Sequence, residues 1–206
     1  MNLPRTMKAA ALFAPNDLRL IEKPVPAPGP GEVLVKVAAC AVCGTDLEII
    51  GHGLPGQPPF NGTFTPGHEY AGTVVALGPT VDEFQVGDRV VVEVHKGCGR
   101  CENCRHGMYT SCLNYGNLDK GHRANGFTAD GAYAEYAVNH VNTLNKIPDD
   151  MDFDEATLIT TAGTALYGLD SLGGWIAGET IAVTGPGPIG LMGVQCAKAL
   201  GATVIL

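Results

Sequence analysis

Four cysteines near the middle of the chain constrain its fold more than any other feature of the sequence. They follow a C-x2-C-x2-C-x7-C spacing, and they are Cys98, Cys101, Cys104 and Cys112. Four thiolates form a complete tetrahedral shell for Zn²⁺, and the glycine-containing spacers leave the backbone free to wrap around one ion. The closed shell has no position for a substrate, so residues 97–112 are predicted to form a structural zinc lobe.

Three other interpretations of these cysteines exist: a redox pair, two disulfides and an iron–sulfur cluster. A redox motif requires only two cysteines, and the bacterial ferredoxin run has a shorter C-x2-C-x2-C-x3-C-P spacing. The chain has seven cysteines, and its N-terminal residues Met1–Lys8 have no apolar core of a secretory signal. Metal binding in a reducing compartment is therefore favoured over disulfides, and we expect a cytoplasmic protein.

Charge and hydrophobicity exclude two classes of partner. The formal net charge is −8 and no marked basic run occurs, which argues against nucleic acid and against an anionic membrane surface. No apolar stretch reaches the length of a transmembrane helix. We therefore expect a small molecule as the partner.

The first 150 residues have the pattern of a mostly β domain. Short apolar or β-branched segments alternate with turns that contain glycine, proline or asparagine, which is typical of many short strands around one core. The predicted strands are Ala9–Phe13, Leu18–Glu22, Glu32–Ala39, Gly72–Leu77, Arg89–Val94 and Ala132–Val138.

The pattern changes after residue 150. Asp152 and Glu155 form a start signal like a capping box for a helix that ends near Leu158, and a second helical segment is predicted over Ala162–Leu172. The two predicted helices separate the β-rich region from the last part of the chain.

A glycine-rich turn then connects a strand with a helix. The strand Thr180–Thr184 leads into Gly185-Pro-Gly-Pro-Ile-Gly190, the helix Leu191–Leu200 follows, and Thr203–Leu206 begins another strand. Glycines in such a turn let the backbone approach a pyrophosphate at the helix N-terminus. A tight turn without a ligand is the alternative. Residues 151–206 are therefore predicted to be the first part of a dinucleotide-binding domain.

Two upstream motifs complete a family pattern. These motifs are Cys43-Gly-Thr-Asp46 and Gly67-His68-Glu69. They are followed along the chain by Val86-Gly-Asp-Arg-Val90, the four-cysteine lobe and the glycine-rich turn. In order and spacing this set resembles the zinc-dependent medium-chain alcohol and polyol dehydrogenases, in the sorbitol-dehydrogenase-like branch, over essentially the whole chain. The resemblance implies a GroES-like β-rich catalytic domain over residues 1–150. The start of a Rossmann domain is implied over residues 151–206, in a chain that is truncated relative to the family.

The resemblance also implies a second, catalytic zinc. Cys43 and His68 would be ligands of this ion. Thr45 would place its hydroxyl on the substrate oxygen as the first group of a proton relay, and Asp46 would hold the far nitrogen of His68.

Two positions depart from the family pattern. Where alcohol dehydrogenases often have a relay histidine, this chain has Glu48, so the proton must leave by another route or end on a carboxylate. The stretch Leu158–Ala162, which supplies a ligand in some members, has no thiolate, carboxylate or imidazole. Glu69 is therefore predicted as the third ligand and as a catalytic residue; a carboxylate outside the metal shell is the alternative. Because adjacent strand residues point to opposite faces, His68 and Glu69 share one metal only if Pro66-Gly67 disturbs the strand.

The function implied by the family is hydride transfer between a secondary alcohol or polyol and NAD or NADP. The cofactor-binding residues would be Gly185, Gly187, Pro188, Ile189 and Gly190, with Ile189 packed behind the nicotinamide. The family also implies a homo-oligomer, a dimer or tetramer, for the full-length protein. The 206-residue chain alone is expected to be inactive.

Two alternatives to this function exist. A quinone or enoyl reductase has the same fold, but such enzymes lack the catalytic cysteine and the four-cysteine lobe. A zinc-binding relative without catalysis is the other. The loop Gly51–Thr65 and the segment Asn114–Asp130 are predicted to shape the substrate pocket, although neither indicates a particular alcohol.

Overall fold

The structure is a computed structural model that describes residues 3–53, 64–173 and 178–206. Most of the predicted pocket loop Gly51–Thr65 lies outside the described residues. The chain divides into two compact units, Met1–Ala156 and Thr157–Leu206. Among the described residues, no helix combines the length and the apolar character that a membrane crossing requires.

The described residues of the first unit form short strands with two helices between them. Its strands are β1 (Thr6–Ala14), β2 (Asp17–Pro24), β3 (Glu32–Ala41), β4 (Glu69–Leu77), β5 (Arg89–Val92), β6 (His95–Lys96), β7 (Arg123–Ala124), β8 (Tyr136–His140) and β9 (Leu144–Lys146). Its helices are α1 (Gly44–His52) and α2 (Glu102–Arg105), with three 3₁₀ turns at Tyr109–Ser111, Leu118–Lys120 and Val141–Thr143.

Five of these strands form an antiparallel sheet in the order β8-β3-β4-β5-β9. The central strands β3 and β4 are rich in valine, whose β-branched side chain packs well on a pleated surface. The main apolar cluster contains Val33, Val35, Tyr70, Val74, Val90, Val92, Ala132, Ala137 and Leu144. Outside this sheet, β1 pairs with β2 as a hairpin, and β6 pairs with β7.

A polar network lies inside this apolar core. The Tyr70 hydroxyl is fully buried and accepts hydrogen bonds from Asn125 Nδ2 at 3.0 Å and from Asn139 Nδ2 at 2.8 Å. Burial raises the pKa of Tyr70 well above its usual value, so the hydroxyl keeps its proton. Because Asn125 belongs to the segment between β7 and β8, the network connects that segment with the centre of the sheet.

The second unit contains the strand–turn–helix–strand arrangement that the sequence predicts. Strand β10 (Thr180–Ala182) pairs in parallel with β11 (Thr203–Ile205), and helix α4 (Pro188–Ala199) connects them. Parallel strands need a crossover of this kind, and the unit is a βαβ motif.

The helices differ from the prediction at two places. The two segments predicted between Asp152 and Leu172 are one continuous helix, α3 (Phe153–Ser171). The β-branched run at Ile159–Thr161 lowers helix propensity only slightly, and neither proline nor a capping residue ends the helix there. Helix α1 was not predicted, because nine residues with two glycines give a weak helical pattern.

The predicted strand Ala132–Val138 also shifts in the structure. Strand β8 begins only at Tyr136, and the residues before it bond to other elements. Tyr133 O accepts from Ala10 N of β1 at 2.7 Å, and Tyr133 N donates to Pro66 O at 3.0 Å. The other predicted strands are confirmed within a few residues.

We expect Tyr70→Phe to destabilise the protein. The change leaves the buried amide groups of Asn125 and Asn139 without their shared partner, and such a loss costs about 1–3 kcal/mol of unfolding free energy. Chemical denaturation measures it, with Tyr136→Phe, a half-buried tyrosine on β8, as the matched control. Equal stability of the two variants would contradict the role of the network.

Candidate functional site

Three potential metal ligands converge in the first unit. Cys43 lies immediately before helix α1, and His68 and Glu69 lie at the start of β4. One ligand atom from each residue, a sulfur, a ring nitrogen and a carboxylate oxygen, lies within 4.8 Å of the other two. His68 is buried, while Cys43 and Glu69 are half-buried. The structure therefore brings together the three residues that the sequence predicts as ligands.

The turn before His68 lets adjacent residues face one point. Gly67 has φ = 94°, a left-handed conformation that favours glycine, and β4 begins only at Glu69. A Cβ on Gly67 would lie 2.6 Å from Tyr133 Cδ1 and 2.8 Å from the Tyr133 nitrogen. The backbone thus departs from strand geometry where the sequence requires it.

A buried carboxylate holds this arrangement. Asp46 is fully buried, and its Oδ1 lies 3.2 Å from His68 Nδ1. Its Oδ2 accepts hydrogen bonds from Cys43 N–H and from the Tyr133 hydroxyl, both at 2.9 Å. Asp46 therefore contacts the backbone of one candidate ligand and the side chain of another, as the sequence predicts for His68.

The electrostatics favour an ionised Asp46. Burial by itself raises the pKa of Asp46, but hydrogen bonds from His68, Cys43 N–H and Tyr133 outweigh it and hold the pKa below its usual value. Burial lowers the pKa of His68, whereas Asp46 and Cys43 raise it, with a net upward shift. An ionised carboxylate can only accept, so it fixes the His68 proton on Nδ1 and leaves Nε2 free to face a cation.

Two further side chains lie beside this cluster. Thr45 Oγ1 is 3.6 Å from Cys43 Sγ, so the predicted relay hydroxyl lies next to a candidate ligand. The ring of Phe127 lies 4.6 Å from the ring of His68 and gives it an apolar neighbour. Glu48, which replaces the relay histidine, faces solvent on α1 and lies 3.4 Å from His52.

The four cysteines form a second cluster with closed geometry. All four Sγ atoms lie within 4.8 Å of one another. Backbone N–H groups point at the sulfurs: Cys101 N lies 3.4 Å from Cys98 Sγ, and Cys104 N lies 3.5 Å from Cys101 Sγ. The side-chain amide of Asn114 donates to Cys98 Sγ at 3.2 Å.

This cluster requires a cation if all its thiols are to ionise. The Asn114 amide and nearby backbone N–H groups lower the pKa of Cys98 to about 5. Burial and the neighbouring cysteines instead raise the pKa of Cys104 to about 12. A zinc ion is bound by thiolates, so its charge would remove this repulsion. The donor set fits the predicted structural zinc.

The glycine-rich turn of the second unit has the backbone of an anion site. Gly187 immediately precedes α4, and Pro188 occupies the first turn of the helix. A Cβ on Gly190 would lie 1.9 Å from Gly185 O, whereas one on Gly187 would meet no described atom within 4 Å. Gly190 is therefore required for packing, and Gly187 leaves the helix N-terminus open to a ligand. Ile189 is 56 % exposed.

Comparison with known proteins agrees with this geometry. The family model of the alcohol dehydrogenase GroES-like domain matches residues 29–149. L-threonine 3-dehydrogenase of Pyrococcus horikoshii is 42 % identical over 187 residues, which are 91 % of this chain and 51 % of that protein. Sorbitol dehydrogenase of Bacillus subtilis is 37 % identical over 99 % of this chain and 56 % of its own length.

A solved structure gives the same result. The cobalt- and zinc-bound thermostable alcohol dehydrogenase of Pyrobaculum aerophilum superposes with a TM-score of 0.81 at 32 % identity, covering 97 % of this chain and 58 % of that chain. The chain belongs to the zinc-dependent medium-chain alcohol dehydrogenase family, and the family and fold class predicted from its motifs are confirmed. It spans about half the length of the relatives it matches.

Three residues of these sites were not singled out from the sequence: Asn114, Phe127 and Tyr133. Asn114 and Phe127 fall within the segment predicted to shape the pocket, and Asn114 follows Cys112 by two residues, which is a local signal. Tyr133 is 87 residues from Asp46, and no spacing rule connects them.

We expect Gly67→Ala to lower the free energy of unfolding by about 2–4 kcal/mol, because positive φ and the contact with Tyr133 both oppose a side chain. Thermal or chemical denaturation measures the loss. Gly51→Ala in α1 is the matched control, since its Cβ would meet only Asn16 Oδ1 at 3.9 Å. A Gly67→Ala protein as stable as this control would show that the turn tolerates a side chain.

Proposed function

We propose that the protein is a zinc-dependent oxidoreductase that transfers a hydride between a secondary alcohol or polyol and NAD or NADP. The observation that carries the proposal is the convergence of Cys43, His68 and Glu69 within 4.8 Å. One thiolate, one imidazole and one carboxylate form a donor set that catalytic zinc uses, with the fourth position open to water or substrate.

The three residues would hold the ion with balanced charge. Cys43 as a thiolate and Glu69 as a carboxylate offset the two positive charges, while His68 binds as a neutral imidazole. When bound, zinc supplies Lewis acidity that lowers the pKa of an alcohol hydroxyl. Asp46 keeps the His68 proton on Nδ1 and thereby orients Nε2.

Thr45 is the proposed first group of the proton relay: its hydroxyl would accept the alcohol proton while it passes its own proton on to water or to a carboxylate, and so it would stay neutral. Its position 3.6 Å from Cys43 Sγ supports the role, because a substrate oxygen bound near that sulfur would be within reach of the hydroxyl. Removing this proton allows a carbonyl to form as the hydride leaves the carbinol carbon. Phe127 would exclude water on the side of His68.

The second unit would bind the nicotinamide cofactor. Gly185, Gly187 and Gly190 form the turn before α4, and a Cβ on Gly187 would meet no described atom within 4 Å. The N–H groups at a helix N-terminus suit a pyrophosphate. Pro188 fixes the first turn of α4, and the exposed side chain of Ile189 is proposed to pack behind the nicotinamide. The nicotinamide performs the electron chemistry, because zinc is redox-silent.

A second zinc would stabilise the lobe through Cys98, Cys101, Cys104 and Cys112. The N–H groups that point at these sulfurs support this assignment. A cytoplasmic location, a homo-oligomeric full-length protein and the absence of nucleic-acid and membrane partners remain predictions from the sequence.

Metal analysis and a spectrophotometric assay test the proposal together. We expect two zinc ions per full-length chain and NADH or NADPH formation that depends on a secondary alcohol or polyol. Cys43→Ser should remove one zinc and reduce activity to background with little change in melting temperature. Cys101→Ser should remove the other zinc and lower the melting temperature, since zinc binding supports folding of such lobes.

Either of two results would contradict the proposal. If Cys43→Ser keeps both zinc ions, the catalytic site is wrongly assigned. If both ions are present but no alcohol of a broad panel is oxidised, the protein is a zinc-binding relative without this activity.

A pair of variants tests the glycine-rich turn in the full-length protein. Gly187→Ala should weaken NAD or NADP binding about tenfold, equivalent to about 1.4 kcal/mol, while the fold is kept. Gly190→Ala should destabilise the second unit itself, because its Cβ would lie 1.9 Å from Gly185 O. Calorimetry measures both effects, with Gly168→Ala in α3 as the control. Unchanged cofactor affinity in Gly187→Ala would argue that the turn has only a structural role.

A further inference from the structure

Tyr133 is not a candidate ligand, but it contacts both Asp46 and the turn at Gly67. Its hydroxyl donates to Asp46 Oδ2 at 2.9 Å. Its ring and backbone nitrogen lie against Gly67, where an added Cβ would approach them to 2.6 and 2.8 Å. Tyr133 N also donates to Pro66 O at 3.0 Å. One residue therefore meets the buried carboxylate and the turn that precedes His68.

We propose that Tyr133 is a positioning residue that orients His68 toward the metal by holding Asp46 in place. The inference rests on the proposed function, since it assumes that His68 binds the catalytic zinc. It assigns to Tyr133 a role that acts through Asp46, without direct contact with the metal or the substrate.

The geometry of Asp46 gives the reason. Its Oδ1 must stay near His68 Nδ1, while its Oδ2 is held by two donors, Cys43 N–H and the Tyr133 hydroxyl. Without the Tyr133 hydroxyl, Asp46 Oδ2 keeps only the hydrogen bond from Cys43 N–H of these two, and the carboxylate can rotate about its Cβ–Cγ bond. Rotation would move Oδ1 away from the imidazole, and the orientation of Nε2 would be less well fixed.

The ring and the hydroxyl have separable roles. The ring contact with Gly67 supports the backbone of the turn, and among the described residues the hydroxyl bonds to Asp46. Tyr133→Phe keeps the ring and removes the hydroxyl, so the variant tests the positioning role without disturbing the turn. The backbone hydrogen bonds of residue 133 to Pro66 and Ala10 are also kept.

Zinc release from the full-length, zinc-loaded protein is the first readout. A colorimetric chelator in excess reports the release of the catalytic ion and of the four-cysteine ion as separate phases. We expect Tyr133→Phe to accelerate release of the catalytic ion about tenfold, as for other partners outside the metal shell, and to leave the four-cysteine phase unchanged.

Cobalt at the catalytic site gives the second readout. The visible absorption of Co²⁺ bound to Cys43, His68 and Glu69 depends on ligand geometry, so Tyr133→Phe should shift or broaden these bands. If Tyr133 only packed against the turn, Tyr133→Phe would keep that packing because the ring remains, and the Co²⁺ spectrum would not change.

The control is Tyr136→Phe, which removes the same atom from a tyrosine three residues later. Its hydroxyl is not among the described contacts of Asp46, and the variant should release both ions at the parental rate. Cys43→Ser tests the proposed function separately from the role of Tyr133, because it should lose the catalytic ion completely.

The outcomes are distinct. If Cys43→Ser loses one ion but Tyr133→Phe has the parental release rate and spectrum, the role of Tyr133 is wrong and the proposed function stands. If Tyr136→Phe accelerates release equally, or if both phases accelerate in Tyr133→Phe, the effect is general and the positioning role is also wrong. If Cys43→Ser keeps both ions, the proposed function fails first.

Discussion

The buried carboxylate of Asp46 is the interaction on which the candidate catalytic site depends. An ionised group inside a protein is costly unless several donors compensate it, and here the donors come from His68, from the Cys43 backbone and from Tyr133. These residues belong to three separate segments of the chain. The need to compensate one charge therefore brings together the start of α1, the turn before β4 and the segment before β8.

Close backbone packing makes the same assembly possible. A Cβ on Gly131 would lie 2.0 Å from Gly67 O, and one on Gly126 would lie 2.6 Å from it, so the segment 126–131 packs directly on the turn that carries His68. Asn125 connects this segment with Tyr70, the residue that follows Glu69. Tyr70 of the polar network and Glu69 of the candidate ligands are consequently neighbours on strand β4.

The sequence allowed prediction of features that depend on local patterns. Most of the short strands, the cysteine cluster and the glycine-rich turn each arise within a short segment, and the structure has them close to where the sequence predicts them, whereas the strand predicted at Ala132–Val138 begins only at Tyr136. Helix α1 was missed because its signal is short and its N-cap is Cys43, although Asp46 at its third position accepts from the Cys43 N–H as the third residue of a capping box does. The contact of Tyr133 with Asp46 could not be predicted, because 87 residues separate them and only the folded sheet brings them together.

The two candidate metal clusters differ in how the chain builds them, and this difference has a physical consequence. The four cysteines lie within one short segment, and local N–H groups already point at their sulfurs, so a cation can organise this lobe with little help from distant residues. Cys43 and His68 instead meet through strands β3 and β4 and through a buried carboxylate. Formation of the candidate catalytic set therefore requires the completed sheet, whereas the four-cysteine lobe would require mainly a bound ion. Substitutions in the sheet core should for this reason weaken metal binding at Cys43, His68 and Glu69 more than metal binding at the four cysteines.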